Sequence, residues 1–473
     1  MSAPATQPAR AAVRWLAPKA ASPAAIAAGL LLATACSKPS APPAPRNVVL
    51  VVVDTLRADH TGLGGYERDT TPGIDALAKE GTAFQSHFAN APWTKPSVAS
   101  IMTGLLPPAH GCQWGDLKRS GEGEVDLLAQ GLTTLPEVLR ENGWSTVAFI
   151  TNETLTPKFG YDQGFERYEI MPGTLVYDQQ ATEAAAETLD AATGPTFIWC
   201  HLMAPHNYEF PAQRARTFES EGQTPITDEH PAGDTIRSRY GMHSREQAID
   251  TYDETVLFID EHVTRLITRV REKHPDTLIV FTSDHGEELG DHGGYLHSRT
   301  LFNELLHVPL VVWGPGFARG ETVTRLTQSV DLFPTVVDFL GLPEAPTQGR
   351  SLLDDSPANE EVYAEKLTGN KAKRALIAPT GKLIENKPPS PDGVRPTMKG
   401  KGRWMFFADP TGRDDVDAES NPSPRLIQRG AARINELWEF SRTLNAVQTE
   451  GEATQGTLTE EELEALRRLG YVE

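Results

Sequence analysis

The densest group of metal-binding and acid–base side chains lies in residues 281–298, FTSDHGEELGDHGGYLHS. Asp284 and His285 stand side by side where an apolar run ends, and mixed oxygen and nitrogen ligands suit a divalent cation. Three more residues of ligand type follow within reach of the same pocket: Asp291, His292 and His297. One Asp-His pair alone is weak evidence, because adjacent polar residues often simply end a strand.

Two distant segments strengthen the hypothesis of a metal site. Asp54 follows the apolar run NVVLVVV, and Thr94 lies in APWTKPSVASIMTG, residues 91–104. Thr94 has two interpretations. It can cap a helix, since threonine is favoured at the N-cap, proline is tolerated in the first turn and Gly104 would end the helix. Beside a cation, its hydroxyl can instead be a nucleophile. Together the three segments predict a metal site with Thr94 at its edge.

The elements that must position these residues are buried strands alternating with helices. Unbroken apolar, β-branched runs are typical of strands covered on both faces, and they occur at NVVLVVVD, TVAFITN, TFIWCH, TLIVFTSDH and VPLVVWG. Helical patterns separate them, including TPGIDALAKEG with Thr71 as its cap, TTLPEVLRENG, and a helix near residues 248–272 with one apolar stripe. This alternation predicts an α/β fold with a parallel sheet.

The polar residues that end the apolar runs should meet. Ligands of such sheets bind beyond the carboxyl ends of the strands. The residues at those positions are Asp54, Asn152, His201, Asp284 and His285. Each can also be an ordinary turn residue, so their convergence is the stronger indication of a site.

Four regions divide the chain. Residues 1–36 resemble an export signal, residues 37–46 a proline-rich tether, and residues 47–345 the main α/β domain. Beyond residue 345 the segments VYAEKL, RALIAPTGKLIEN and RWMFFADPTG predict a small antiparallel-sheet subdomain, 346–473, whose tail LTEEELEALRRLGYVE starts with the capping box Thr459 to Glu462.

The N-terminus predicts localisation in the cell envelope. Arg10, Arg14 and Lys19 precede the short apolar run AAIAAGLLLATAC, which resembles a bacterial lipoprotein signal with Cys36 as the lipidated residue. Ser37 after it favours outer-membrane sorting; the alternative is a plain secretory signal that releases the protein on the periplasmic side. Either way the chain is expected to be exported, and a lipid on Cys36 would anchor it to a membrane.

Composition excludes one class of partner. The chain has 44 basic and 64 acidic residues, net −20, which gives no basic surface for nucleic acid. An anionic substrate would therefore need local positive charge, such as a metal ion. Cys112 and Cys200 do not define a disulfide framework, and we expect both to be unpaired core residues.

Taken in order, six segments resemble sulfatases of the alkaline phosphatase superfamily. They are NVVLVVVDTLRADHTGLGGY, TTPGIDALAKEGTAFQSHFANAPWTKPSVASIMTGLLPPAHG, TLPEVLRENGWSTVAFITN, YDQGFERYE, TSDHGEELGDHGGYLHS and SVDLFPTVVDFLGLP. The resemblance implies an alkaline-phosphatase-like mixed, mostly parallel sheet sandwiched by helices, with a small C-terminal antiparallel-sheet subdomain. It also implies metal-assisted attack on a tetrahedral sulfuryl or phosphoryl centre.

The resemblance implies a role for each site residue. Asp54, Asp284 and His285 match metal ligands. Thr94 matches a nucleophile that also touches the metal, and His206 matches a histidine that contacts the substrate or its leaving group. Three further residues are substrate-binding candidates alongside Asn152: Lys95, His201 and His297. The two histidines resemble residues near the metal of phosphoethanolamine transferases, and each can instead be a hydrogen-bonded core residue. Lys95 either points into the cleft to clamp an anionic oxygen or is an exposed lysine.

Departures from the family pattern shape the functional prediction. Sulfatases that use formylglycine carry Cys or Ser followed by x-Pro-Ser-Arg, whereas this chain has Thr94 and Val98 at those ends. Threonine is not a substrate for that conversion, so no formylglycine is expected. Thr55 replaces the second residue of the usual Asp-Asp pair, which removes one oxygen ligand and weakens the case for calcium relative to zinc or manganese.

These departures favour one activity over its alternatives. Threonine nucleophiles occur in related branches that act on phosphorus, so we expect a metal-dependent hydrolase of phosphate or phosphonate esters in preference to sulfate esters. The expected substrate is a small-molecule, glycan or lipid ester. Two alternatives stay open. One is a phosphoryl transferase of the phosphoethanolamine-transferase type, and the other is an inactive, anchored protein that binds glycans or anions.

Overall fold

An eight-stranded mixed sheet organises the chain in the computed structural model. The structure describes residues 47–113, 124–171, 174–209, 215–354, 361–367, 372–386, 404–409, 423–449, 455–457 and 459. These residues belong to one unit, Ala44–Glu473. The predicted signal, the tether and Cys36 lie outside the described residues, as does almost all of the predicted tail helix. None of the helices in the described ranges combines the length and hydropathy of a membrane span.

The sheet is mostly parallel, as predicted. Its strands run in the spatial order β11 (Glu321–Gln328), β2 (Thr82–Phe88), β10 (Leu310–Trp313), β7 (Leu278–Ser283), β1 (Asn47–Val53), β6 (Thr196–Leu202), β4 (Ser145–Ile150) and β5 (Arg167–Ile170). Central strand β1 pairs in parallel with both β6 and β7. Strand β10, which the run VPLVVWG forms, is the exception. It is antiparallel to both of its neighbours, β2 and β7.

Strand β1 shows why the apolar runs are unbroken. Val49, Val51 and Val53 pack into the core on one face, covered by α1 (Pro72–Ala78), α5 (Leu175–Ala191), α6 (Gly233–Tyr240) and α7 (Arg245–Lys273). Val48, Leu50 and Val52 pack on the other face, covered by α2 (Thr94–Thr103), α3 (Pro107–His110), α4 (Leu135–Glu141) and α9 (Leu332–Phe339). Because side chains alternate across a strand, every residue of β1 is buried.

The long helix predicted near residues 248–272 is α7. A capping box between Ser244 and Gln247 starts it slightly earlier than predicted, because these side chains satisfy backbone N–H groups of the first turn. Its predicted apolar stripe faces the sheet and is buried, except that Ile249 is only partly covered. The Thr71 side chain does not cap α1. It hydrogen-bonds the Asp75 carboxylate instead.

The predicted C-terminal strands form a separate antiparallel sheet. Its order is β12 (Val362–Lys366), β13 (Lys373–Ala378), β14 (Gly381–Asn386) and β15 (Trp404–Phe407). Helix α10 (Pro424–Gln448) packs Ile434 and Trp438 against this sheet. The sequence pattern did not predict α10 or β2, whose segment TAFQSHF interleaves polar residues that are nonetheless mostly buried.

Shorter elements complete the described residues. They are α8 (Asn303–Leu306), the two-stranded pair β8 (Glu288–Leu289) and β9 (Tyr295–Leu296), and the pair β3 (Glu124–Asp126) and β16 (Gln455–Thr457). Cys112 and Cys200 are free and buried, which confirms the expectation that they are unpaired.

Candidate active site

The ends of four neighbouring strands bring the predicted residues together. Asp54 follows β1, Asp284 and His285 follow β7, His201 ends β6 and Asn152 lies just after β4. All five side chains are fully buried, and hydrogen bonds or close contacts link them. The strand-end argument therefore located this cluster correctly, because parallel strands present their carboxyl ends at one edge of the sheet.

Two carboxylates and one imidazole form the centre of the cluster. Asp54, Asp284 and His285 each offer one ligand atom, and these atoms all lie within 4.8 Å of one another. His285 Nε2 lies 3.5 Å from Asp54 Oδ1 and 3.7 Å from Asp284 Oδ2. Its Nδ1–H donates to the Gly286 carbonyl over 2.9 Å. The lone pair of Nε2 is then directed at the carboxylates, which is the tautomer that a metal ligand needs.

The chemistry of this donor set fits a divalent cation. Asp54 Oδ1 is fully buried and lacks a hydrogen-bond donor. Burial and the Asp284 carboxylate raise the pKa of Asp54 to about 7, since two buried like charges oppose each other. Against the effect of burial, His285 and His201 lower the pKa of Asp284. A cation held among the three side chains would neutralise this excess negative charge.

Thr94 lies at the rim of this centre. Its Oγ1 is 3.3 Å from Asp54 Oδ2 and 3.3 Å from His285 Nε2. The interpretation of Thr94 as the helix cap is wrong, because Trp93 occupies the N-cap position and Thr94 is the first residue of α2. The hydroxyl is directed to the carboxylates, while the first N–H groups of α2 lie beside it, where a helix favours an anion.

Asn152 and His201 contact the carboxylates. The Asn152 amide donates to Asp54 Oδ2 over 2.7 Å, and its carbonyl accepts from the backbone and hydroxyl of Thr154. His201 Nε2 lies 3.4 Å from Asp284 Oδ2. These contacts give both residues a role in orienting the carboxylates. That either also binds substrate stays a prediction.

A row of three histidine rings extends from the centre. The His297 ring lies 4.8 Å from that of His285 and 4.9 Å from that of His206, between ring centroids. His206 is in the short 3₁₀ helix Ala204–Asn207 that follows β6. The side chains of His206 and His297 are both buried. The structure thus places two predicted site residues, His206 and His297, next to each other and beside the metal-ligand candidate His285.

Strained backbone surrounds this row. Left-handed φ values occur at Thr55 (60°), Tyr208 (49°), Leu296 (64°) and Ser298 (68°), none of which is glycine. Thr55 follows Asp54, Tyr208 follows the His206 helix, and Leu296 and Ser298 flank His297. Such conformations each cost on the order of 1–3 kcal/mol and persist where surrounding structure enforces them, often at functional sites.

Lys95 is not the exposed lysine that one of its two interpretations suggested. It is 2% exposed, so it is not a surface lysine. Its Nζ donates to the Asp126 carbonyl over 3.1 Å and lies 4.0 Å from the centre of the Phe159 ring. Burial lowers the pKa of this ammonium group. These contacts direct Lys95 toward β3; its contact with substrate stays a prediction.

Asp291 and His292 do not reach the metal centre, contrary to expectation. Asp291 accepts from Arg57 and Arg245. His292 Nδ1 bonds to Glu304 Oε1 over 2.7 Å, and its ring stacks on Phe302. The intervening glycines and the β8–β9 turn direct these side chains away from the carboxylates, although they are only a few residues along the chain.

Two functional candidates were missed from sequence. Glu287 Oε2 accepts from His297 Nδ1, and Glu287 Oε1 accepts from the Tyr208 hydroxyl. Asp178 of α5 accepts from the Thr151 hydroxyl and from the Met203 backbone, so it ties the ends of β4 and β6 together. Glu287 lies within the polar segment 281–298, but nothing in its spacing distinguishes it from Glu288. Asp178 carries no such indication.

The position between His285 and Glu287 requires glycine for steric reasons. A Cβ atom there would lie 2.0 Å from the Glu304 carbonyl oxygen. The Gly286 N–H also donates to the Leu305 carbonyl over 2.9 Å. Glycine therefore lets the segment after β7 approach α8 closely, which fixes the residues on either side of it.

Comparisons with known proteins agree with this arrangement. The sulfatase family model matches residues 46–342. Arylsulfatase K of Canis lupus familiaris is 23% identical over 375 residues, which span 68% of each chain. Phosphoethanolamine transferase EptA of Salmonella typhimurium is 26% identical over 276 residues, 56% of this chain and 46% of the transferase, so the match spans less than half of that protein.

A solved structure shows the same fold. The phosphonate monoester hydrolase of Silicibacter pomeroyi superposes with a TM-score of 0.61 at 20% identity, covering 86% of this chain and 99% of that one. The eight-stranded sheet sandwiched by helices is thus the architecture that the family resemblance implied.

Proposed function

The chain belongs to the sulfatase family of ester hydrolases, and we propose that it is a metal-dependent member that cleaves phosphate or phosphonate esters with Thr94 as the nucleophile. The observation that carries this proposal is the position of the Thr94 hydroxyl, 3.3 Å from both Asp54 Oδ2 and His285 Nε2. A nucleophile needs this proximity to the group that activates it.

Asp54, Asp284, His285 and Thr94 would hold the metal ion. The donor set of oxygens and one imidazole suits zinc or manganese, and a calcium site with several carboxylates is less favoured because Thr55 stands where the family has a second aspartate. A bound divalent cation would lower the pKa of the Thr94 hydroxyl and polarise the ester. Two histidines of the row, His206 and His297, are the candidates to protonate the leaving group.

The reaction then has two halves. Thr94 Oγ gives up its proton to solvent and forms a bond to phosphorus as the bond to the leaving oxygen breaks, and that oxygen takes the bonding electron pair and a proton from His206 or His297. Water then attacks phosphorus and gives a proton to the same histidine, and the bond from phosphorus to Thr94 Oγ breaks with its electron pair on Oγ. The N–H groups at the start of α2 would stabilise negative charge on the non-bridging oxygens.

Besides Thr94, two departures from the family pattern, Val98 and Thr55, support phosphorus over sulfate. Val98 is fully buried in the hydrophobic core where formylglycine-dependent sulfatases have arginine, so no cation extends from that position. Thr55 turns its hydroxyl back to the Asp54 carbonyl over 2.7 Å. The site thus lacks two features associated with formylglycine, and an unmodified threonine alkoxide is a suitable nucleophile for phosphorus.

A transferase remains the second candidate. The similarity to a phosphoethanolamine transferase and the YLH segment that ends in His297 favour it. In that case an acceptor alcohol would replace water in the second half of the reaction. We rank hydrolysis first because the sulfatase family model matches residues 46–342, whereas the match to the transferase spans 46% of that protein. The inactive glycan- or anion-binding alternative predicts that the protein retains no stoichiometric metal.

We also propose that the chain is exported and anchored by a lipid on Cys36 in the cell envelope. The short apolar run before Cys36 and the proline-rich tether after it support this proposal. Cys36→Ser should abolish incorporation of labelled fatty acid and release the protein from membranes. Labelling that persists in this variant would contradict the anchor. The substrate would then be a small-molecule, glycan or lipid ester outside the cytoplasm.

The test is turnover of 4-nitrophenyl phosphate, phosphonate and sulfate esters by purified protein with added zinc, manganese, magnesium or calcium. We expect a phosphorus ester to be hydrolysed and Thr94→Ala to lose on the order of 10⁴-fold in kcat or more. Thr94→Ser, which keeps a hydroxyl, is the matched control and should retain measurable turnover. Hydrolysis of sulfate alone would contradict the phosphorus preference, and full activity of Thr94→Ala would exclude the nucleophile.

A further inference from the structure

We infer that Glu287 is a positioning residue that holds the His297 ring so that Nε2 protonates the leaving group, with Tyr208 fixing Glu287 in turn. This inference rests on the proposed function and deepens it, because it assigns the proton donor to His297 in preference to His206. The proposed metal site and nucleophile do not by themselves assign a role to Glu287 or Tyr208.

The contacts of Glu287 define one orientation. Its side chain is fully buried, and Oε2 accepts from His297 Nδ1–H over 2.8 Å. The other oxygen, Oε1, accepts from the Tyr208 hydroxyl over 2.9 Å. Arg57 donates to the Glu287 backbone carbonyl over 3.1 Å. Both carboxylate oxygens and the backbone are thus fixed, so the carboxylate has little freedom to rotate away from the imidazole.

The backbone around His297 fixes the other end of this contact. Ser298 N–H donates to the Pro92 carbonyl over 3.0 Å, which ties the His297 turn to the segment that leads into α2 and Thr94. Leu296 and Ser298 both adopt left-handed φ values. Glu287 holds Nδ1, and the ring lies 4.8 Å from that of His285 between centroids, so we assign the transferred proton to Nε2.

Acid catalysis needs this kind of support. As the ester bond breaks, its electron pair goes to the leaving oxygen, and the proton on Nε2 passes to that oxygen. The ring keeps the Nδ1 proton, which Glu287 continues to accept. A carboxylate hydrogen-bonded to an imidazole fixes the tautomer and the orientation of the ring. His206 differs, since its Nδ1 lies 3.3 Å from the amide oxygen of Asn207, a neutral acceptor.

Leaving-group dependence separates this role from general structural damage. Esters of one phosphonic acid with 4-nitrophenol, phenol and an alkyl alcohol need increasing protonation of the departing oxygen. For Glu287→Ala in the full chain, we expect kcat to fall about 100-fold or more with the alkyl ester and only a few-fold with the nitrophenyl ester, with KM nearly unchanged. Glu287→Gln keeps an acceptor for Nδ1–H and should recover much of the alkyl-ester activity.

Three variants sharpen the comparison. Tyr208→Phe removes only the hydroxyl and should give a weaker loss with the same dependence on leaving group. Glu288→Gln alters the neighbouring buried carboxylate, which accepts from Thr300, and should leave the leaving-group dependence unchanged. In a His297→Gln background, Glu287→Ala should have no further selective effect, because the two residues act as one unit.

The outcomes are distinct. An equal loss on all three esters, or additive effects of the Glu287 and His297 changes, would overturn the positioning role. If Glu287→Ala does not fold, Tyr208→Phe carries the same test, and an unchanged leaving-group dependence in that variant overturns the inference. The proposed function has its own test, because activity that survives Thr94→Ala would contradict it. Loss of activity in Thr94→Ala with uniform Glu287 effects would leave the function standing and remove only this inference.

Discussion

Two acidic clusters on the same two loops differ in how their charge is balanced. In the site, Asp54 and Asp284 face each other with histidines around them and no arginine or lysine among the contacts described. A few residues along each loop, Asp59 and Asp291 hold Arg57 between them with contacts of 2.7 Å each. Both clusters are largely buried.

The acidities of the two clusters diverge accordingly. Burial and Asp284 raise the pKa of Asp54 to about 7. Against the effect of burial, Arg57 lowers the pKa of Asp291 to about 2. The paired cluster contains its own cation and braces the loop through the Glu287 carbonyl. Among the described residues the site cluster has no such cation, which supports the proposal that its carboxylates hold a metal ion.

The largest expected effect comes from removing a carboxylate of the site cluster. Asp284→Asn should lower the affinity for zinc or manganese by more than about 100-fold, since even residues behind a metal ligand contribute 10- to 100-fold. Hydrolysis should be lost with the metal. Without metal, we expect only a small change in unfolding temperature, because the relief of repulsion with Asp54 offsets the loss of the Asp284 contacts with His201 and His285.

Calorimetric titration with metal and thermal unfolding in chelator check this prediction together. Glu288→Gln, a change to a buried carboxylate outside the cluster, is the control for metal affinity and should keep it. If chelated Asp284→Asn is much less stable than wild type, the site cluster is satisfied without a cation, and the contrast between the two clusters disappears.

Disrupting the paired cluster should, in contrast, lower the stability of the protein. Arg57→Leu leaves Asp59 and Asp291 without their shared guanidinium, and we expect the free energy of unfolding to fall by about 3 kcal/mol. Arg245→Leu also removes a partner of Asp291, but that guanidinium is 36% exposed and should contribute less than about 1 kcal/mol. Urea unfolding measures both. Equal effects of the two variants would show that Arg57 is not the central cation.

The contrast also explains what the sequence could predict. Asp54, Asp284 and His285 follow β-branched runs, and the strand-end rule brings them together without knowledge of side-chain packing. The mostly parallel sheet and the C-terminal strands follow from similar local patterns. Arg57 and Asp291 meet only because the loop after β1 folds over the loop after β7, and no spacing rule relates residues so far apart in the chain.

Other features depend on tertiary context in the same way. Lys95, which directly follows Thr94, is one example. The sequence left open whether its side chain enters the cleft or is exposed to solvent, and the structure buries it against Phe159. Strand β10 has the composition of its parallel neighbours, but its direction is set by the chain's return path across the sheet. The Glu287–His297 contact depends on the tight turn between β8 and β9. Residue type identifies these side chains as candidates, and only packing decides their partners.

The smallest expected effect is the pH dependence of the paired cluster. Because the pKa of Asp291 is about 2 in the folded chain, below its ordinary value of 3.8, the ion pair stabilises the protein above about pH 4. That contribution, about 2 kcal/mol, is lost as the pH falls through the folded pKa. Asp291→Asn lacks the titrating group, so the stability difference between wild type and variant should shrink between about pH 4 and pH 2.

Urea unfolding of wild type and Asp291→Asn over this range in the same chelating buffer isolates the Asp291 contribution, because the site carboxylates titrate in both proteins and cancel in the difference. A difference that stays constant with pH would mean that Asp291 is not held ionised by Arg57. The paired cluster would then be as unbalanced as the site, and the lack of a cation among the described contacts would no longer distinguish the proposed metal-binding edge of the sheet from its surroundings.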